Sequence, residues 1–286
     1  MVERIDRLQI VVASRSTAAA TYARILGAEV VREDSSAHLA ARRTVMALGE
    51  SEIELLEPDG TGRVATALAE RGEGLFAGGV TTRDVAATEA RLRGLGLTPT
   101  SEGGQLLLDG SPGFGARFVV SPLAARERVG PVSFHYEVTL TLIGDWRAAA
   151  AWYSGVFGLD PSRFSPIESK RFGYRGTLTL FDPPSRLDRI ELSQVIDSKS
   201  AMGRWVVRRG DSLYMAYIET HDLGAIIARL DGAGARWTPR SAERNSERDG
   251  LWVHPSALHG LLLGVSRTTL AWEWSGRPEL VTRAGS

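Results

Sequence analysis

The feature that most constrains this chain is that it repeats itself. TYARILG at 21–27 is answered by WYSGVFG at 152–158, and IELLEP at 53–58 by IELSQV at 190–195. LFAGGVTTRDVAATEARLRGLG at 75–96 corresponds to LYMAYIETHDLGAIIARLDGAG at 213–234, and GARFVVS at 115–121 to GLLLGVS at 260–266. Four blocks in one order mean that any fold must accommodate the same succession of elements twice. Half of a 286-residue chain is long enough to bury a core of its own.

Hydrophobic period and punctuation define the elements of each copy. Residues 8–12 read as a strand. A helix follows over 17–26, with Tyr22, Ile25 and Leu26 at helical spacing and Gly27 as its C-cap. Strands are expected at 29–32, 40–48 and 52–57. A second unit opens with a strand at 79–82, continues in a helix over 84–95 stopped by Gly96, and closes in strands at 105–108 and 116–120. The result is an α+β chain of four βαβββ modules, two per half. The expected organisation is a first domain over 1–124, a linker over 125–130, a second domain over 131–270 and a tail over 271–286, with Pro122 and Pro131 flanking the linker.

Composition removes several classes of function. Apolar residues make up 43% and charged residues 24%, which are globular values. Lys plus Arg equals Asp plus Glu at 34 each, without a block of like charge, so nothing calls for nucleic acid or an anionic membrane as partner. The complete lack of cysteine excludes disulfides, thiolate metal ligands and cysteine nucleophiles. The first residues carry charges and then too short an apolar run for a signal peptide or a membrane span, so the expected location is cytoplasmic. SAERNSERDG at 241–250 reads as a polar loop.

Paired βαβββ modules with this punctuation resemble the vicinal-oxygen-chelate superfamily of glyoxalases, bleomycin-resistance proteins and extradiol dioxygenases. The resemblance rests on Tyr-x-x-x-Leu-Gly at 22–27 and its counterpart at 153–158, Ile-Glu-Leu at 53–55 and 190–192, and His254, Pro255 and Gly260 before the last strand. It implies a sheet curled into a cup in each half, with four inward side chains holding a divalent ion. By spacing, those positions fall on Arg7, Glu54, Ala77 and Val119 in the first half and on Val138, Glu191, Met215 and Gly264 in the second. Only Glu54 and Glu191 offer a ligand to a hard cation. The expected cofactor is therefore none. A divalent metal at a non-standard site, built from His135, Glu191 and His254 or His259, is the alternative.

Residues two apart on a strand share a face, which extends each cup lining. Arg7, Gln9, Glu54 and Arg117 make a polar set in the first cup, with Arg7 and Glu54 expected as a structural ion pair in the place of the metal. The second cup is expected to carry Tyr136, Leu140, Met215, Glu219, Trp252, His254 and Leu262 as substrate-binding residues. All seven tryptophans also lie in that half. Glu191 would be a buried carboxylate with a raised pKa, fit to act as general acid or base, and Tyr217 a hydrogen-bond donor to a developing oxyanion.

Three functions fit these residues: a lyase, isomerase or cyclase acting by side-chain acid and base on a small carbonyl-containing or aromatic compound, a non-catalytic protein that sequesters a small molecule, and a dioxygenase or glyoxalase with its metal on non-standard ligands. Each implies a small-molecule partner. Since two cups are already joined in one chain, monomer and homodimer are both compatible with the sequence.

Overall fold

The computed structural model describes residues 1–183, 186–240 and 250–267. The first half runs through β1 (Val2–Val11), α1 (Arg15–Leu26), β2 (Glu29–Ser36), β3 (Ala41–Leu48), β4 (Ser51–Pro58), α2 (Arg63–Arg71), β5 (Gly74–Thr82), α3 (Val85–Gly94), β6 (Thr100–Glu102), β7 (Gln105–Leu108) and β8 (Arg117–Pro122). The second half repeats it as β9 (Val132–Leu142), α4 (Trp146–Phe157), β10 (Ser165–Ser169), β11 (Tyr174–Leu180), β12 (Arg189–Val195), α5 (Ala201–Arg209), β13 (Ser212–Thr220), α6 (Leu223–Gly232), β14 (Trp237–Pro239), β15 (Gly250–Val253) and β16 (Leu263–Ser266). The tail at 271–286 and most of the polar loop at 241–250 lie outside the described residues.

Each half forms one eight-stranded mixed sheet. The strand orders are β2-β3-β4-β1-β5-β8-β7-β6 and β10-β11-β12-β9-β13-β16-β15-β14. Within a module the first strand lies parallel to the fourth, and the two modules of a sheet join through an antiparallel pair, β1 with β5 and β9 with β13. Local sequence explains the helix ends. Ser14 and Asp145 cap α1 and α4 by accepting backbone N–H bonds, and Gly27 and Gly158 stop them in the left-handed conformation, at φ 72° and 69°.

One face of each sheet builds a core shared by both halves. Ile5, Leu8, Ile10, Val138, Leu140, Ile190 and Leu192 pack there with the buried sides of α1, α3, α4 and α6. The join has an approximate twofold pattern. Tyr22 Oη donates to the carbonyl of Leu258 and Tyr153 Oη to that of Gly113, each at 3.0 Å, so the tyrosine of either half is tied to the corresponding turn of the other. Gly115 and Gly260 hold these turns at φ 74° and 82°. A Cβ would lie 1.8 Å from the carbonyl oxygen of Asp211 in one case and 1.9 Å from that of Glu73 in the other.

Three elements go beyond the sequence reading. The three-residue β6 is too short to show a period. Helices α2 and α5 span only nine residues each and stand between the modules of each half. Val64, Ala67 and Leu68 of α2 fill part of the first cup. There is also a shift of one residue in the second half. β1 and β9 carry a bulge at the same place, so that Arg7 pairs with Gly79 and Glu137 with Tyr217. Gly144 is an extra residue in the turn from β9 to α4, and counting back from the helix therefore lands on Val138 instead of Glu137.

Candidate functional site

In the first cup, Arg7 and Glu54 are bonded at 2.6 Å across β1 and β4, and both are buried. Gln9 Nε2 donates to the other oxygen of Glu54 at 2.8 Å, while Arg43 Nη1 and Gln105 Nε2 complete its surroundings at 3.3 and 3.2 Å. Arg7 also meets Asp6 at 3.1 Å and Glu52 at 3.0 Å. Burial alone would lower the Arg7 pKa, but Asp6, Glu54 and Glu52 hold it above its ordinary range. Burial would raise Glu54, and Arg7 and Arg43 hold it below. Gly79 opposite makes room for this network, since a Cβ there would stand 1.9 Å from Cγ of Arg7. Arg117 does not join it. That side chain lies instead with its guanidinium carbon 4.6 Å from the ring centre of Phe76.

The second cup reverses the charges. Glu137 takes the place of Arg7 and Arg189 that of Glu52, with Arg189 Nε donating to Glu137 at 2.5 Å. Both are buried. Glu191 occupies the place of Glu54, with Ser193 Oγ donating to it at 2.5 Å, the Glu137 carboxyl beside it and Arg189 acting on it through its charge. It is thus not a lone carboxylate in an apolar cup. Burial and the neighbouring Glu137 charge push the Glu191 pKa up to about 8.

Around these carboxyls, Tyr136, Met215 and Tyr217 form one apolar cluster with Leu187, against which Trp252 and Leu262 pack. Tyr136 and Tyr217 have ring centres 6.0 Å apart. Trp252 Nε1 donates to Tyr217 Oη at 3.0 Å, and Tyr136 Oη lies 3.0 Å from Ser266 Oγ. Burial holds both phenols above their ordinary range. Gly264 is required here, because a Cβ would fall 1.9 Å from the ring of Tyr217.

Two of the expected lining residues stand elsewhere. Leu140 points into the shared core, since the register places Glu137, Thr139 and Thr141 on the cup side of β9. His254 caps a short 3-10 turn after β15 and lines an outer groove with Asp231 and Trp237. Glu219 is buried beside Phe134. Sequence reasoning missed Glu137, Arg189 and Ser193, together with Tyr174 and Arg240, whose electrostatic influence reaches Tyr217 and Glu191. Glu137 and Arg189 were within reach of a repeat alignment that allowed one inserted residue, because Arg189 precedes Ile-Glu-Leu as Glu52 does.

These side chains do not make up the donor set of a superfamily metal site. In the first cup a guanidinium sits on the carboxylate. In the second, Glu137 and Glu191 converge, but the places across from them hold Met215, Tyr217 and Gly264, and Glu137 is engaged by Arg189. Among the described residues no three His, Asp or Glu side chains gather in a manner that could hold an ion. His135, the key member of the non-standard set, is fully buried on β9, and its ring nitrogens have no hydrogen-bond partner among the described residues. His259 binds Glu73 at 2.9 Å and Thr21 at 3.2 Å, on the seam between the halves.

The model of the Glyoxalase/Bleomycin resistance protein/Dioxygenase superfamily matches residues 6–111. A 4-hydroxyphenylpyruvate dioxygenase of Caenorhabditis elegans is 30% identical over 94 residues, which are 33% of this chain and only 23% of that protein. A mutant 4-hydroxymandelate synthase of Streptomyces coelicolor has the same fold over 93% of both chains, with a TM-score of 0.72 and 16% identity. A xylose isomerase-like TIM barrel/4-hydroxyphenylpyruvate dioxygenase fusion protein aligns over 93% of this chain and 49% of its own, at a TM-score of 0.65 and 12% identity. No helix among the described residues is long and apolar enough to cross a membrane. The superfamily model thus covers residues 6–111 of the first half, the topology of that half is repeated in the second, and the chain as a whole has the two-domain fold of 4-hydroxymandelate synthase.

Proposed function

We propose that the second cup is an acid–base site for a small carbonyl-containing or aromatic compound, and that the chain works as a lyase, isomerase or cyclase without the superfamily metal. The observation that carries this reading is the Glu137–Glu191 carboxyl pair beneath a wall of Tyr136, Tyr217 and Trp252. Two carboxyls in contact cannot both ionise at low cost, so one keeps its proton near neutrality. Arg189 is bonded to Glu137, and Glu191, whose pKa is pushed up to about 8, is the member that changes state.

Ionised Glu191 takes a proton from the carbon next to a substrate carbonyl and becomes the neutral acid. The electron pair of that C–H bond moves into an enolate, whose oxygen accepts a hydrogen bond from Tyr217. Return of the proton to another carbon isomerises the substrate, and departure of a group from the adjacent carbon makes the step a lyase reaction. A base with pKa near ambient pH suits this task.

4-Hydroxyphenylpyruvate, the compound named by the C. elegans relative, combines a ring and a ketone and is a suitable probe. The expected result is exchange of its C3 hydrogens with solvent deuterium above the buffer rate, unaffected by chelator, falling at least a hundredfold in Glu191→Gln and less in Tyr217→Phe. Saturable binding without exchange would assign the cup to sequestration. Activity that appears only on adding a divalent metal would overturn the metal-free reading.

A further inference from the structure

A second feature lies away from the Glu191 cup, where the two halves meet at the rim of the first cup. α2 ends there in Arg71, α5 of the other half ends in Arg209, and β8 begins with Arg117. All three line a cavity of about 210 Å3 together with Leu75, Phe76 and Trp205. Arg117 makes no hydrogen bond or ion pair among the described residues, and its buried Nε has no partner. Arg209 stacks on Trp205, with its guanidinium carbon 4.9 Å from the ring centre, and donates to the backbone carbonyl of Arg71 at 2.8 Å.

Among the described residues no carboxylate forms an ion pair with Arg71, Arg117 or Arg209, and Asp109 and Glu70 attract Arg117 less than burial and Arg71 disfavour its charge. Glu73, the one acid on the cavity wall, accepts from the Ala13 backbone at 2.7 Å and holds His259 at 2.9 Å. Asp109 is paired with Arg63. Burial and the repulsion of Arg71 hold both Arg117 and Arg209 below the ordinary arginine range. Converging guanidiniums without counter-charge destabilise a fold, and they form a strong receptor for an oxyanion.

We propose that this inter-domain cavity binds a small organic anion, with a phosphate or carboxylate head on Arg71, Arg117 and Arg209 and a flat apolar body against Phe76 and Trp205. The cavity is smaller than the roughly 300–1,000 Å3 of sites for drug-sized ligands, which limits the body to about a single ring. Because α2 and α5 come from different halves, a bound anion bridges them.

The test is calorimetric titration of the full chain at low salt with phenyl phosphate, phenylacetate, inorganic phosphate and benzyl alcohol. Saturable binding of at least one of the two aromatic anions is expected, at least tenfold tighter than inorganic phosphate, with none for benzyl alcohol. Arg117→Met and Arg209→Gln should each weaken it at least tenfold, and Glu191→Gln should leave it unchanged. Arg117→Met should also raise the unfolding midpoint in anion-free buffer, while the aromatic anion raises the midpoint of the wild type alone. Unsaturable or undetectable binding, wild-type affinity in both arginine variants, or loss in Glu191→Gln would overturn the proposal, the last by placing the ligand in the other cup.

Discussion

Arg7 and Glu137 occupy the same place in the two sheets, one on β1 and the other on β9, and carry opposite charge. Around Arg7 stand the acids Asp6, Glu52 and Glu54, and around Glu137 stand Arg189 and Glu191. The inversion gives the cups different chemistry. In the first, Arg7 and Arg43 hold the Glu54 carboxyl below its ordinary range. In the second, Arg189 engages Glu137, and burial beside Glu137 pushes the Glu191 pKa up to about 8.

If Glu137 raises Glu191, then Glu137→Gln should move the Glu191 titration well below pH 8, since the neighbouring negative charge disappears and Arg189 is left to favour the ionised form. Carboxyl-carbon NMR across pH 4–10 reads this directly. An inflection that stays near 8 would show that burial alone sets it. Because the folded value lies above the ordinary carboxyl value of 4.5, the stability this group contributes is present below pH 4.5 and is lost as pH rises through 8. Wild type should therefore lose stability relative to Glu191→Gln over that window.

The costs of removing the two partners of the first-cup pair should not add. Arg7→Met or Glu54→Gln alone leaves charge uncompensated in a buried network, a loss of about 3–5 kcal/mol. A double substitution of Arg7 and Glu54 should cost less than the sum, and urea unfolding of the four proteins in the cycle measures the difference.

His135 holds the place on β9 that Ile5 holds on β1, and it is buried, its ring nitrogens without a hydrogen-bond partner among the described residues. His135→Ile should stabilise the fold by about 1–3 kcal/mol at neutral pH. Burial pushes the His135 pKa from 6.5 down to about 4. Between those values the unfolded chain binds a proton that the folded one does not, so wild type loses stability as pH falls. The advantage of the variant should grow by up to about 3 kcal/mol from pH 7 to pH 4 in denaturant titrations. A constant difference would place the ring in contact with water.

Tyr22→Phe and Tyr153→Phe should each cost about 1–2 kcal/mol by leaving a buried carbonyl of the opposite half without its donor. Calorimetry should show one transition for wild type, because the halves share a core, and nearly additive losses in the double variant. Two separate transitions in wild type would mean that the seam contributes little.

The repeated blocks determined the fold class, the number of modules and the succession of elements, because the alternation of buried and exposed positions is a local property that each stretch carries by itself. Inward placement of Glu54 and Glu191 was legible for the same reason: both lie inside Ile-Glu-Leu, where strand alternation fixes the face. Tertiary structure alone decided what met them. The bulges at Asp6–Arg7 and Tyr136–Glu137, with the extra Gly144, moved the second-cup position from Val138 to Glu137, and one residue along a strand is the difference between the core face and the cup face. Cross-strand partners come from segments far apart in sequence. Only the folded sheets could therefore show that Arg7 neutralises Glu54, that Glu137 raises Glu191, and that Arg71, Arg117 and Arg209 converge on one cavity.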